Sequence, residues 1–171
     1  DVMAVTDEVL RRVCAVAGRP FPDTVPVMTY EEAMRRYGSD RPDTRFGMEL
    51  VDCDDLAAET DFGIFTRALE AGGAVGCICL PGGADMSRKQ TDGLGEWVGA
   101  FGAKGLAVAK IEDGALTGGI AKFLTPVSAA LIERTGAKNG DMLCFVADRV
   151  AVIRRSLGEL RCRLAAERGM I

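Results

Sequence analysis

From Phe62 onward, apolar β-rich runs and helical stretches follow one another without strict alternation, in the order β-β-α-β-β-α-β-α. A doubly wound parallel sheet requires regular alternation. This order therefore predicts an α+β two-layer sandwich, with a mainly antiparallel sheet, helices on one face and further flanking helices. The predicted strands are 62–69, 74–80, 105–111, a short or extended piece at 120–124, and 142–147. Between them, Ser87 and Gln90 have the spacing of a capping box that opens a helix from 88 to about 101. That helix contains Gly93, Gly95 and Gly99, each weakening it by roughly 1 kcal/mol relative to Ala, so it needs packing through Leu94, Trp97, Val98 and Phe101. Thr125-Pro126 reads as an N-cap and first helical position, and Asp148 as the cap of a long final helix.

Before residue 50 the pattern is different. Val2, Val5, Val9, Val13 and Val16 share one face of a surface helix that ends at Gly18 and Pro20. A second helix opens at Thr29-Tyr30-Glu31-Glu32 and closes at Gly38. The stretch 37–46 is polar and carries four charges, Asp40, Arg41, Asp43 and Arg45, in ten residues, which reads as a surface loop. Met48 to Val51 reads as a short strand, and Asp54-Asp55 as the cap of a short helical turn. The chain begins at Asp1, inside an amphipathic pattern, as an excised piece of a longer protein would.

The residue inventory narrows the chemistry. There is no histidine, which removes the commonest general base, the Ser-His and Cys-His nucleophile pairs and the commonest zinc ligand. The six cysteines form no C-x-x-C pair and most lie in apolar runs, so they read as reduced core thiols of a cytoplasmic protein. No apolar run is long enough to span a bilayer. The net charge is −4, and residues 46–158 hold 11 Lys and Arg against 15 Asp and Glu, so any contact with a polyanion must be local.

Two kinds of local feature could still bind. Pro81-Gly82-Gly83-Ala84 precedes a helix that starts with Arg88 and Lys89, which is compatible with a tight turn, the favoured reading, or with an anion or RNA contact. Lys104 and Lys122 each stand in an apolar or small-residue segment, as snorkelling lysines or as RNA contacts. The carboxylate pairs Asp54-Asp55 and Glu112-Asp113 lack a second cluster at ligand spacing, and no metal site or catalytic residue is expected.

Several segments in fixed order resemble one family: MTYEEAM (28–34) with YGSDRPDTRF (37–46), PGGA (81–84) with SRKQ (87–90), GAKGLA (102–107), AKFL (121–124), GD (140–141), FVAD (145–148) and LGELR (157–161). Over essentially its whole length the chain is similar to bacterial-type aspartyl-tRNA synthetases. In that family a GAD insertion domain, itself a two-layer α+β unit, interrupts the class II catalytic domain between its second and third signature motifs. The resemblance implies that residues 1–50 are catalytic-domain sequence following motif 2, that 51–158 are the insertion, and that 159–171 lead back into the catalytic body.

It also implies a parent ligase that uses ATP and Mg²⁺ to attach aspartate to tRNA, works as a homodimer, and keeps its catalytic residues in motifs absent from this chain. The fragment itself is expected to be inactive, monomeric and without a bound cofactor. Its expected role is to brace the catalytic body, with Asp40, Arg41, Asp43 and Arg45 as candidate contacts. Arg88, Lys89, Lys104 and Lys122 are the candidates for touching the tRNA acceptor end. The alternative is a free-standing GAD-type binding module, or the related domain of a tRNA-dependent amidotransferase subunit. The departures from the family pattern are Ser156 where Ala is usual, Gly118-Gly119 where Ser-Pro is common, and the glycine-rich helix after Ser87.

Overall fold

Two strands form the centre of the molecule. β2 (Ala74–Leu80) and β5 (Met142–Asp148) pair antiparallel along their full length, and most residues of both are buried. In a computed structural model that describes residues 1–171, β1 (Val51–Asp52), β3 (Ala107–Glu112) and β4 (Ala115–Thr117) complete an antiparallel sheet in the order β1-β2-β5-β3-β4. Asp113 and Gly114 both have positive φ (51° and 77°), as a two-residue hairpin turn requires, and they join β3 to β4.

The α+β class and the antiparallel sheet are as the sequence implies, but the helices are divided between the two faces. α5 (Arg88–Gly99) and α7 (Val150–Glu167) cover one face, packing Leu94, Val98, Ile153, Leu157, Leu160 and Leu164 on Ile78, Leu80, Met142 and Cys144. α3 (Asp54–Ala58), α4 (Gly63–Glu70) and α6 (Ser128–Thr135) cover the other, with Leu56, Phe65 and Leu131 on Val75, Cys77, Leu143 and Phe145. Strands apolar on both faces need cover on both.

Several local expectations are corrected. Residues 62–69 are not a strand but the start and body of α4, which sets Phe62 and Phe65 three apart on one buried face with ring centroids 4.9 Å apart. Residues 120–124 are not extended; Ala121–Phe123 and Thr125–Val127 are successive 3-10 turns leading into α6. Thr125 does not cap that helix, and its hydroxyl donates to the Lys122 carbonyl instead. Asp148 does not cap α7: Arg149 occupies the cap position, and Asp148 Oδ1 accepts from the Arg149 N–H at 2.7 Å. The strand expected at 48–51 is the two-residue β1. The capping box at Ser87 and Gln90 forms in both directions.

Two helices precede the sheet. α1 (Val2–Val16) has no buried residue, so its valine stripe is exposed. α2 (Tyr30–Tyr37) starts where Thr29 Oγ1 accepts from the Glu32 N–H at 3.1 Å and packs Ala33 and Tyr37 inward. All six cysteines are free; Cys53, Cys77 and Cys144 are buried, and burial pushes the Cys144 thiol up to about 12. No helix is long and apolar enough to cross a membrane.

Candidate functional site

The polar loop after α2 is held from beneath by one buried side chain. Arg161 of α7 is 1% exposed and has no carboxylate partner. Its guanidinium donates to four backbone carbonyls: Nε to Met48 at 3.2 Å, and Nη2 to Asp43, Phe46 and Gly47 at 3.0, 3.4 and 2.9 Å. It also lies against the rings of Phe46 and Tyr37, with centroids at 4.2 and 4.9 Å. A planar fork with five N–H donors can bind several carbonyls at once, which an ammonium could not do with the same geometry. Burial lowers the Arg161 pKa from its ordinary value.

The rest of the loop is built on that anchor. Gly38 closes α2 with φ 70°, and a Cβ there would run into the Arg154 carbonyl of α7. Gly158 is the matching contact on α7, lying against the Tyr37 carbonyl and Gly38. Met48 is held in the left-handed region at φ 56°, a conformation that costs an ordinary residue on the order of 1 kcal/mol and is kept here by its bonded carbonyl. Arg36 pairs with Glu49 at 2.6 Å and Glu32 at 2.7 Å, and the Tyr37 hydroxyl donates to Glu49 at 3.2 Å. The YGSD and LGELR segments, far apart in sequence, thus form one backbone-to-backbone contact.

On the outside of the loop, the four expected body-contact residues form two separate pairs. Asp43 and Arg45 form a short ion pair at 2.5 Å that holds the Asp43 carboxyl down at about 2. Asp40 and Arg41 are exposed and 3.9 Å apart. The loop therefore presents a charge-balanced surface of two ion pairs rather than a free anion or cation.

The four candidate RNA-contacting cations do not converge. Arg88 lies at the N-terminus of α5, 3.8 Å from Asp92, beside exposed Lys89. Lys104 follows the other end of that 12-residue helix, roughly 18 Å away along its axis. Lys122 is on the opposite face of the sheet, over the Phe123 ring at 4.8 Å. In the PGGA turn the donors are already engaged: Gly82 N–H donates to Asp141 Oδ1 at 2.9 Å, and Ala84 N–H to the Gly140 carbonyl at 2.9 Å.

The acidic pairs are also engaged. Asp54 accepts from the Val75 N–H and Asp55 from Arg134, while Glu112 accepts from Thr117. No three Cys, Asp or Glu side chains converge to hold a metal ion. The residues present do not fit an ATP–Mg²⁺ site.

The fold gathers with Lys104 two further cations that no local sequence pattern marks. Arg67 of α4 and Arg149, just before α7, line the same cleft of about 830 Å³. Arg67 sits in a run whose pattern also fits a strand, and Arg149 follows an expected cap, so neither position is distinguished by sequence alone.

Comparison with known proteins adds the following. A family model described as the GAD domain matches residues 65–157. Among curated relatives, an aspartate–tRNA ligase of Enterococcus faecalis is 52% identical over 153 residues, 89% of this chain and 25% of that protein. Those of Staphylococcus haemolyticus and Halalkalibacterium halodurans are 47% and 43% identical over 174 residues, covering 100% of this chain and 30% and 29% of theirs. The chain spans between a quarter and a third of the length of these relatives.

Proposed function

The chain belongs to the GAD domain family, and from that premise we propose that it is a non-catalytic section of an aspartate–tRNA ligase, an insertion domain with its two flanking segments. Residues 1–50 are then catalytic-body sequence, 51–158 the insertion, and 159–171 the return to the body. The observation that carries this reading is Arg161, which ties the outgoing segment at residues 43–48 to the returning helix α7. An insertion whose entry and exit are clamped together can transmit a fixed orientation to the body it interrupts. The exposed surface made by Asp40, Arg41, Asp43 and Arg45 is the face offered to that body.

ATP, Mg²⁺ and the aspartate site belong to the rest of such a ligase, which acts in the cytoplasm as a homodimer. The scatter of Arg88, Lys89, Lys104 and Lys122, with the net negative charge, supports bracing over gripping of tRNA. A free-standing binding module or an amidotransferase subunit has less support, because similarity to the ligases continues through the residues before 65.

The test is to titrate the chain with aspartate tRNA at low and at physiological salt. No binding at physiological salt is the expected result. Binding that survives there, and is lost when Arg88 and Lys89 are both changed to Ala, would replace bracing with a direct acceptor-end contact. In the longer protein, Arg161→Met should lower aspartate-dependent aminoacylation; an unchanged rate would sever the clamp from the activity.

A further inference from the structure

β5 continues past the strand beside it. Its pairing with β3 ends at Ala107 opposite Phe145, whereas its pairing with β2 continues to Asp148. In an antiparallel ladder successive residues direct their N–H and C=O groups to alternate sides. The Asp141 carbonyl accepts from Ile111 N–H on the β3 side, so the odd-numbered residues of β5 face that side. Ala147 therefore turns its N–H and C=O toward a neighbour that is not there, because the chain at Gly105 and Leu106 has left the sheet, and neither group is bonded elsewhere. The next residue, Asp148, holds the chain's one buried side-chain oxygen without a partner, Oδ2.

This open edge forms part of the cleft between α4 and residues 102–107. The cleft has an apolar wall in Ile64, Phe65 and Ala68, and Ile64 is 49% exposed. Around it stand Arg67, Lys104 and Arg149, all exposed and none paired with a carboxylate. Three free cations against the single carboxylate of Asp148 leave the opening net positive in a chain of net charge −4, which favours an anionic occupant.

An unpaired strand edge beside a row of side-chain contacts is the arrangement that accepts an extended peptide. A single-stranded nucleic acid would instead need aromatic faces for its bases to stack on, and both aromatic residues of the cleft, Phe65 and Phe145, are 1% exposed. We propose that this cleft is a docking groove for an extended acidic peptide, which adds as a short strand at Ala147 and sets apolar side chains on α4 while its carboxylates meet Arg67, Lys104 and Arg149. The added backbone continues the line of β3, bonds the Ala147 N–H and C=O, and brings N–H donors to the end of β5 where Asp148 Oδ2 lacks one. The groove is independent of the bracing role.

The experiment titrates the full chain with fluorescein-labelled acetyl-VDVEID-amide, acetyl-VKVKIK-amide and the single-stranded RNA ACCA, with hydrogen exchange followed at the Ala147 amide. The acidic peptide is expected to bind, to slow exchange at Ala147, and to weaken at least tenfold when Arg67, Lys104 and Arg149 are all changed to Glu. These three side chains are exposed and unpaired, so the fold should survive, as circular dichroism will check. Acidic-peptide binding that is indifferent to the triple change, or that leaves Ala147 exchange unaltered, would overturn the proposal. So would protection of Ala147 by the RNA but not by the peptide, or equal binding of the basic peptide at this site.

Discussion

Arg161 stacks on Phe46, its guanidinium carbon 4.2 Å from the ring centroid, while the same group donates to the carbonyls on either side of Gly47 and to Gly47 itself. Truncating Arg161 to Ala removes the donor from these carbonyls and from that of Asp43, of which the Met48 carbonyl is buried and the others partly so. A loss of about 1.5–3 kcal/mol is expected, the range for hydrogen bonds made by a charged group to carbonyls left without that partner. Arg161→Lys should recover only a minor part, since an ammonium has neither the fork nor the flat face. Urea denaturation followed by circular dichroism measures both, and a Lys variant as stable as the original would show that charge alone is what the loop requires.

Two glycines of the same helical layer should respond in opposite directions to Ala. At Gly158 a Cβ would lie 2.8 Å from the Tyr37 carbonyl and 3.0 Å from Gly38, so α2 and α7 must separate, at a cost of about 1–3 kcal/mol. At Gly93, inside α5, a Cβ meets nothing within 4 Å, and Ala should stabilise by about 0.5–1 kcal/mol through helix propensity. The shift in denaturation midpoint of each variant gives the sign directly.

What could be read in advance followed from local chemistry. β2, the Ser87 capping box and the Gly38 stop are each dictated by residues within a few positions of one another. The stretch of α4 is ambiguous because eight residues, five of them apolar, fit a strand or a short helix equally, and only the sheet behind them selects the spacing of Phe62 and Phe65. α3 and α6 are legible as helices, but which face of the sheet they cover is set by the sheet itself and not by local pattern. The body-contact loop was legible as a charged turn, but its support was not, since Arg161 bonds residues more than 100 positions earlier. The cleft was illegible altogether: its cations come from α4, from residue 104 and from the entry to α7.

Acid should loosen the contact between α3 and α6. Arg134 bonds both oxygens of Asp55, at 2.5 and 2.7 Å, and holds that carboxyl at about 2 against an ordinary 3.8. A carboxyl with a lowered folded-state pKa contributes stability that is complete above its unfolded value and fades as pH falls toward the folded one. The loss therefore lies between about pH 4 and pH 2, where Asp43, held down by Arg45, also titrates. Asp55→Asn should lower Tm at pH 6 and flatten its decline below pH 4; adding Asp43→Asn should flatten it further. Thermal melts from pH 6 to pH 2 test this, and an unchanged slope in the double variant would place the acid sensitivity elsewhere.

The turn that follows β2 is held from two sides, and the two supports should be coupled. From β3, Lys110 reaches across with its Nζ 2.7 Å from the carbonyls of both Ala84 and Met86, which the 3-10 turn leaves without helical partners. From the end of α7, Arg168 donates to the Gly82 carbonyl at 3.1 Å and pairs with Asp85 at 2.6 Å. Lys110→Met keeps the aliphatic stem and removes two charge-assisted bonds, for an expected loss of about 1.5–3 kcal/mol. Arg168→Met, whose ion pair faces solvent, should lose about 1 kcal/mol or less. Because both side chains fix the same five residues, the double variant should lose less than the two losses added together, by at least about 0.5 kcal/mol. A double-mutant cycle in urea measures that difference. Strict additivity would mean that Gly82 to Met86 keep their shape without either support, with Asp141 and Gly140 alone holding the turn through the N–H groups of Gly82 and Ala84.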